Sequence, residues 1–252
     1  MSAPKAVIFD LDGVITKTAS VHAAAWKATF DDFLKKFYKE KNEPFREFTR
    51  QDYLDYVDGK PREEGIKSFL QSRQAELPVW EKGDARDKDT VEGLGNRKNE
   101  KFREILEKDG VEIFSSTVDL IKDLKRKKIH IGLASSSKNC QPILRKTALE
   151  KYFETRVDGI VSEELGLKGK PEGDIFVKAA ENIGARPAES IVVEDAISGV
   201  QAGRQGEFGL VIGVARQNNE QALKENGADV VVTDFKGITA KDVIEWFRQK
   251  ND

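Results

Sequence analysis

The sequence has little of what would cross-link a chain or carry it into a membrane. It holds one cysteine, Cys140, so no disulfide can form within the chain, and a reducing compartment is the expected setting. A membrane-spanning helix needs about 20 apolar residues in a row, and no stretch of this sequence approaches that length. The first apolar run, residues 6–9, is also too short for the apolar part of a secretory signal. We therefore expect a cytoplasmic protein without a membrane partner.

An excess of charge of either sign is missing as well. The 252 residues include 42 Lys and Arg against 44 Asp and Glu, which gives a formal net charge of -2. Such a balance gives no reason to expect nucleic acid or an anionic membrane as a partner. We expect a monomer whose length is sufficient to bury a full core.

Short apolar runs alternate with longer amphipathic stretches along most of the chain. The predicted buried strands are residues 6–9, 129–134, 157–161, 191–193, 210–214 and 230–232. The predicted helices are residues 117–127, 140–149, 174–183, 198–205, 220–226 and 240–248. Strands that alternate with helices in this way are typical of right-handed βαβ units, so the sequence predicts an α/β fold with a Rossmann-like, doubly wound parallel sheet.

One region, residues 20–108, breaks this alternation. It has helical periodicity and polar loops, among them a charged loop over residues 81–90, but no convincing strand. A helical segment of this size between the first and second strands predicts an inserted cap domain. The α/β core would then consist of residues 1–19 and 109–252.

Polar residues follow four of the predicted strands, three of them directly at the strand end and one in the loop after the third strand. They are residues 10–13 (DLDG), 135–139 (SSSKN), 168–171 (KGKP) and 194–195 (ED). Ligands of an open parallel sheet bind outside the carboxyl ends of its strands, so we expect these side chains to meet in one crevice. This convergence of carboxylates, hydroxyls and a lysine predicts an active site more strongly than any single motif does.

Asp10 and Asp12 carry the strongest chemical signal. Residues two apart in an extended chain point to the same side, so both carboxylates should face the crevice. Acids so close repel one another unless a cation lies with them or one of them is protonated. Glu194 and Asp195 add oxygen ligands of the kind that Mg²⁺ prefers. A turn with solvated acids is the alternative reading of residues 10–13, and the second acidic pair argues against it.

These segments resemble, in the same order, the four motifs of the haloacid dehalogenase-like superfamily. The matching residues are 9–14 (FDLDGV), Ser135, Lys170-Pro171 and Glu194-Asp195. Within that superfamily the chain is most similar to the β-phosphoglucomutase subfamily, on residues 10–16, Thr18, His22, Trp26, residues 97–99 and residues 135–139. The resemblance spans nearly the whole chain and implies Mg²⁺-dependent phosphoryl transfer beneath a helical cap.

The resemblance also implies a role for each residue of the four motifs. Asp10 would be the nucleophile and Asp12 the general acid/base. Ser135 would donate to the transferring phosphoryl group, and Lys170 would neutralise its charge. The implied Mg²⁺ ligands are Asp10, Asp12 through its main-chain carbonyl, Glu194 and Asp195. A covalent aspartyl-phosphate suits the reaction, because acid–base catalysis alone supplies about 10²–10⁴-fold where phosphate monoester cleavage needs up to about 10²¹-fold.

A mutase of this subfamily must also hold a second phosphate. Arg62 resembles the cap arginine that does so, and the planar guanidinium suits an oxyanion. The other implied contacts of this phosphate are Ser137, Lys138 and Asn139. His22 and Lys98 match residues that position the acid/base and the substrate. Each cap residue has a simpler alternative: an exposed arginine, a surface histidine and a lysine on a solvated helix face.

The function implied is a sugar-phosphate mutase that converts β-D-glucose 1-phosphate to glucose 6-phosphate through an aspartyl-phosphate and a bisphosphate. The main alternative is a phosphatase that hydrolyses a small phosphorylated metabolite by the same chemistry. A non-catalytic phosphosugar binder is a third hypothesis, disfavoured because it has no use for an acid/base such as Asp12. Lys17, the Lys60-Pro61 pair and the longer cap depart from the subfamily pattern and leave the sugar open.

Overall fold

The computed structural model describes residues 3–77, 88–216 and 218–252. Most of the expected charged loop, over residues 81–87, lies outside the described residues. The chain divides into two compact units, one of Met1–Lys17 with Val111–Asp252 and one of Thr18–Gly110. Their boundaries fall at 17/18 and 110/111, where 19/20 and 108/109 are expected from the sequence. The role of the second unit as a cap stays a prediction.

The first unit is built on a six-stranded parallel sheet. Its strands are β1 (Ala6–Phe9), β2 (His130–Ala134), β3 (Thr155–Val157), β4 (Ser190–Glu194), β5 (Leu210–Val214) and β6 (Val230–Val232). The spatial order is β3-β2-β1-β4-β5-β6, so the chain winds outward from β1 on one side and from β4 on the other. The predicted doubly wound α/β fold is confirmed, and its switch point lies between β1 and β4.

The second unit is helical, and its described residues contain no strand. Its helices are α1 (Thr18–Glu40), α2 (Arg50–Tyr56), α3 (Arg62–Ser72) and α4 (Val91–Asp109). An aromatic cluster on Phe30 of α1 forms the centre of this unit. The Phe30 ring centroid lies 5.0 Å from that of Trp26, 4.9 Å from Phe48 and 4.3 Å from Phe69. The second unit therefore has a hydrophobic core of its own.

The remaining helices belong to the first unit. They are α5 (Ser115–Arg126), α6 (Cys140–Lys146), α7 (Gly159–Leu165), α8 (Asp174–Asn182), α9 (Ile197–Gln205), α10 (Glu220–Glu225) and α11 (Ala240–Asn251), with short 3₁₀ turns at Glu150–Tyr152 and Pro187–Glu189. Strands β1, β4 and β5 are buried along their whole length, as in a parallel sheet covered on both faces. No helix in the part of the chain that the structure describes is long and apolar enough to span a membrane.

One predicted strand is wrong. The apolar run over residues 157–161 is predicted to be extended throughout, but β3 ends at Val157 and α7 begins at Gly159. Asp158 causes the change, because its side chain accepts hydrogen bonds from the N–H groups of Ile160 and Val161 (both 3.1 Å) and so caps the helix. The loop that carries Lys170 consequently follows α7 rather than a strand.

Phe30→Ala should destabilise the protein by about 3–5 kcal/mol, because it removes a fully buried ring that packs on three other aromatic rings. Denaturant unfolding followed by circular dichroism measures the loss. Phe45→Ala is the matched control: Phe45 is 46% exposed, so its truncation should cost less than about 0.5 kcal/mol. Similar losses in the two variants would contradict the central place of Phe30 in this unit.

Candidate active site

The residues that follow β1, 10–16, form a compact turn, here called the β1 turn. The Asp10 N–H donates to the Val193 carbonyl of β4 (3.0 Å), which extends the sheet pairing one residue beyond β1. The chain then reverses at Gly13, whose φ is +85° and whose N–H donates to the Thr16 carbonyl (2.8 Å). Asp10 and Asp12 are thereby held at the switch point of the sheet.

Asp195, which follows β4, packs directly against the β1 turn. A Cβ atom placed on Gly13 would lie 1.9 Å from Oδ2 of Asp195, so the carboxylate occupies the space that any larger residue would need. Position 13 thus requires glycine for two reasons: its φ is in the left-handed region, and a side chain would clash with Asp195. The close packing brings the acidic pairs of β1 and β4 together, as the sequence predicts.

Lys170 joins the two strands through a buried ammonium group. Its Nζ donates to Oδ1 of Asp10 (2.7 Å) and to Oε1 of Glu194, and all three side chains are almost fully buried. The other oxygen of Glu194, Oε2, accepts from the N–H of Ala196 (2.7 Å) at the start of α9. One cation is thus shared between carboxylates from β1 and β4, although 160 residues separate Lys170 from Asp10.

The charges of this cluster are strongly coupled. Burial raises the pKa of Asp10 well above its usual value; Lys170 opposes the rise, while Glu194 and Asp12 add to it. Burial alone would lower the pKa of Lys170, but the attraction of Asp10 and Glu194 outweighs it and holds that pKa above its ordinary value. Lys170 is therefore a cation at neutral pH, placed where negative charge accumulates.

Ser135 lies at the end of β2 and faces Asp12. Its Oγ is 3.5 Å from Oδ2 of Asp12, at the limit of a hydrogen bond, and it accepts from the N–H of Ser137 (3.1 Å). Ser137 in turn accepts through its Oγ from the N–H of Asn139 (3.1 Å). The loop that follows β2 is thus folded by its own serines, and the structure brings Ser135 and Asp12 together.

Lys138, on the same loop, has a partner that the sequence did not indicate. Its Nζ lies 3.1 Å from Oε2 of Glu163 on α7. Asn139 is buried where α6 begins. The loop that carries Ser135 thus also carries Ser137, Lys138 and Asn139. Their role in holding a phosphate stays a prediction.

In the helical unit, Lys98 is buried rather than part of a solvated helix face, so the simpler alternative for this residue is wrong. Its Nζ contacts Nδ1 of His22 and lies 5.1 Å from the Trp26 ring and 4.8 Å from the Phe102 ring. The His22 ring stacks on Phe102 with centroids 4.0 Å apart. A lysine ammonium can only donate a hydrogen bond, so Nδ1 of His22 is the atom suited to accept from it.

Arg62 begins α3 and lies along α4. A Cβ atom on Gly95 would come within 2.6 Å of Cδ of Arg62, so the arginine stem passes over the helix at this glycine. Gly95 and Lys98 are three residues apart and share one face of α4. Within the helical unit, Arg62, Lys98 and His22 are therefore grouped on the same side of α4.

A residue that the sequence analysis missed, Arg216, also reaches the β1 turn. It follows β5, and its Nε donates to the Gly13 carbonyl (3.2 Å). The rule that located the other residues, a polar group just after a buried strand, would have found it if it had been applied to the fifth strand.

A model of the haloacid dehalogenase-like hydrolase family matches residues 4–206. The chain belongs to this family. A protein of Mycobacterium bovis named β-phosphoglucomutase is 43% identical over 235 residues, which cover 92% of this chain and 90% of that protein. The expected similarity to the β-phosphoglucomutase subfamily is confirmed by this relative, and the chain is an enzyme of the haloacid dehalogenase-like family.

Two further matches describe the range of the family. A Thermotoga maritima protein named phosphorylated carbohydrates phosphatase is 28% identical over 236 residues, covering 90% of this chain and 94% of that protein. A crystal structure of β-phosphoglucomutase from Clostridium difficile has a TM-score of 0.79 at 24% identity and covers 98% of both chains. The structural match supports the fold, whereas the sequence relatives include both a mutase and a phosphatase.

The oxygen atoms at the switch point of this haloacid dehalogenase-like enzyme suit Mg²⁺. Asp195 packs against Gly13 of the β1 turn, which also carries Asp10 and Asp12, and all three acids offer hard oxygen donors. In residues 3–77, 88–216 and 218–252, no group of three or more acidic, histidine or cysteine side chains is arranged to hold a metal ion. The resemblance implies the main-chain carbonyl of Asp12 as a further ligand, and this stays a prediction.

Both oxygens of Glu194 have partners in this structure: they accept from Lys170 and from the N–H of Ala196. Its carboxylate therefore helps to hold Lys170 at the start of α9, and its expected place alongside the metal stays a prediction.

Gly13→Ala should lower turnover at least about 100-fold, because a Cβ atom at this position displaces Asp195. The measurement is steady-state phosphoryl transfer together with a thermal melt. Gly184→Ala is the matched control: Gly184 has a similar φ of +71°, and no atom lies within 4 Å of the added carbon. It should share the backbone strain, about 1–2 kcal/mol, and keep full turnover. Equal turnover in the two variants would contradict a role for the contact between Gly13 and Asp195.

Proposed function

We propose that the protein is a Mg²⁺-dependent sugar-phosphate mutase that converts β-D-glucose 1-phosphate to glucose 6-phosphate. The observation that carries the proposal is the buried Asp10 carboxylate, held by Lys170 at 2.7 Å at the switch point of the sheet. A 43% identical relative named β-phosphoglucomutase supports the choice of reaction.

In this proposal Asp10 attacks the phosphorus atom of the bisphosphate, a P–O bond forms, and the bond from phosphorus to the sugar oxygen breaks. Asp12 gives its proton to the departing sugar oxygen. In the transfer back to the sugar, a hydroxyl attacks the phosphorus atom, the bond from phosphorus to Asp10 breaks, and Asp12 takes the proton of that hydroxyl. Ser135 and Lys170 stabilise the charge on the transferring group through Oγ and Nζ. The 3.5 Å separation between Oγ of Ser135 and Oδ2 of Asp12 supports their action on the same phosphoryl group.

Asp10, Asp195 and the main-chain carbonyl of Asp12 would hold Mg²⁺. When bound, the ion supplies positive charge that offsets the repulsion among these carboxylates and stabilises the transferring phosphoryl group. Glu194 keeps Lys170 in place, so that the ammonium remains available to the phosphoryl oxygens.

We assign the second, non-reacting phosphate to Arg62, Ser137, Lys138 and Asn139. The ion pair of Lys138 with Glu163 is a weak obstacle to phosphate binding, because Glu163 is exposed and a surface ion pair contributes about 0–1 kcal/mol. In the helical unit, Nζ of Lys98 contacts Nδ1 of His22. We propose that this pair positions the substrate and the acid/base.

A phosphatase that acts on a small phosphorylated metabolite is the second candidate. It would use the same Asp10 chemistry, with water instead of a sugar hydroxyl as the acceptor. The relative named phosphorylated carbohydrates phosphatase favours it. The two functions differ in whether a second phosphate is held, so Arg62 is the residue whose substitution separates them.

The deciding experiment supplies β-D-glucose 1-phosphate with Mg²⁺ and a trace of the bisphosphate, and follows glucose 6-phosphate and inorganic phosphate together. A mutase forms glucose 6-phosphate with little release of phosphate. Release of phosphate without formation of glucose 6-phosphate would contradict the mutase and support the phosphatase. Asp10→Asn serves as the control, since it keeps the shape of the side chain but removes the nucleophile; turnover by this variant would contradict a covalent mechanism.

Arg62→Ala should reduce mutase turnover at least about 10-fold, whereas hydrolysis of a small monophosphate should change less than about 2-fold, because only the mutase reaction uses a second phosphate. Parallel kinetics with both substrates measure the difference. Arg103→Ala, which removes an exposed arginine from α4, is the control and should affect neither reaction. Equal losses with both substrates would exclude Arg62 from a site for the second phosphate.

A further inference from the structure

The guanidinium of Arg216 is held by hydrogen bonds to two loops and by an aromatic ring. Its Nε donates to the Gly13 carbonyl of the β1 turn (3.2 Å), and its Nη1 donates to the Thr233 carbonyl (3.0 Å) and to Oδ2 of Asp234 (2.6 Å). The centre of the guanidinium lies 3.6 Å from the centroid of the Phe114 ring. The side chain is only 12% exposed, so the guanidinium bridges loops that follow β1, β5 and β6.

The charge of Arg216 is already balanced. Burial would raise the pKa of Asp234, but the hydrogen bonds that it accepts from Arg216 and Ser116 outweigh this and hold the pKa below its usual value. Asp234 is therefore ionised at neutral pH and pairs with the guanidinium. Through Nε and Nη1 the guanidinium is bound to two main-chain carbonyls and to Asp234, an arrangement that is suited to fixing a loop.

Phe114, on which Arg216 stacks, is itself attached to the β1 turn. Its N–H donates to the Ile15 carbonyl (2.8 Å), and Oγ1 of Thr117 donates to the Val14 carbonyl (2.8 Å). These two bonds hold the far end of the turn. At the near end, the Gly13 carbonyl is one peptide beyond Asp12, and Arg216 is the side chain that holds it.

We propose that Arg216 is a positioning residue that orients Asp12 through the Gly13 carbonyl. The inference rests on the proposed function, in which Asp12 protonates the departing sugar oxygen. A displacement of about 1 Å in a reacting group can cost about 10²-fold in rate, so the loss of this bond should slow the steps that need Asp12. Lysine cannot replace arginine here, because it lacks the planar fork that reaches two loops and stacks on Phe114 at once.

The test compares two leaving groups in Arg216→Met and Arg216→Lys. Transfer from the sugar bisphosphate requires a proton on the departing oxygen, whereas 4-nitrophenolate departs as a stable anion and needs none. We expect both variants to form the phosphoenzyme from the bisphosphate about 10²-fold more slowly than the unaltered enzyme. The first-turnover release of 4-nitrophenolate should fall less than about 3-fold. Arg186→Met, which removes an exposed arginine from a surface ion pair, should change neither rate.

Asp12→Asn, measured in parallel, separates the inference from the proposed function. If this variant loses both rates equally, Asp12 is not the acid/base and the proposed mechanism fails. If it shows the leaving-group difference but the Arg216 variants lose both rates equally, or neither, only the inference about Arg216 is wrong. Should Arg216→Met fail to fold, Arg216→Lys, which keeps the charge beside Asp234, decides the question alone.

Discussion

The site depends on the ion pairs that the Lys170 ammonium forms with Asp10 and Glu194. A buried carboxylate is costly unless a cation lies with it, and here two buried carboxylates, Asp10 and Glu194, use the same one. Removing a single partner from such a group costs about 3–5 kcal/mol, because it leaves a charge without compensation in the interior. Because β1 lies beside β4 in the sheet, one lysine can reach both acids.

Much of the fold could be predicted from the sequence, because buried strands and amphipathic helices leave periodic patterns. Five of the six predicted strands are present, and the strand ends converge as parallel topology requires. The error at residues 157–161 arose because the segment crosses from a strand into a helix at Asp158, whose side chain caps the helix. Periodicity in a five-residue run cannot distinguish these two states.

The site was predictable in its residue types but not in its pairings. The sequence indicates that Glu194 lies near Asp10, but its two contacts with Lys170 and Ala196 depend on loop geometry. Lys98 lies in a charged stretch of sequence, as a surface residue does, yet in the structure its side chain contacts His22, Trp26 and Phe102. The position of Arg216 just after the fifth strand indicates a residue near the site, but its hydrogen bond to the Gly13 carbonyl leaves no signature in the sequence.

The separation between Asp10 and its partners has a consequence for synthesis. Lys170 is synthesised 160 residues after Asp10, and Glu194 another 24 residues after Lys170. Until both have been made, the first strand carries an acid without its cation and without the neighbouring β4. Burial of an ionised acid without a cation is unfavourable, so Asp10 opposes closure of the sheet around it before Lys170 is present. The charge that the finished site shares with Lys170 thus also disfavours burial of an incomplete site.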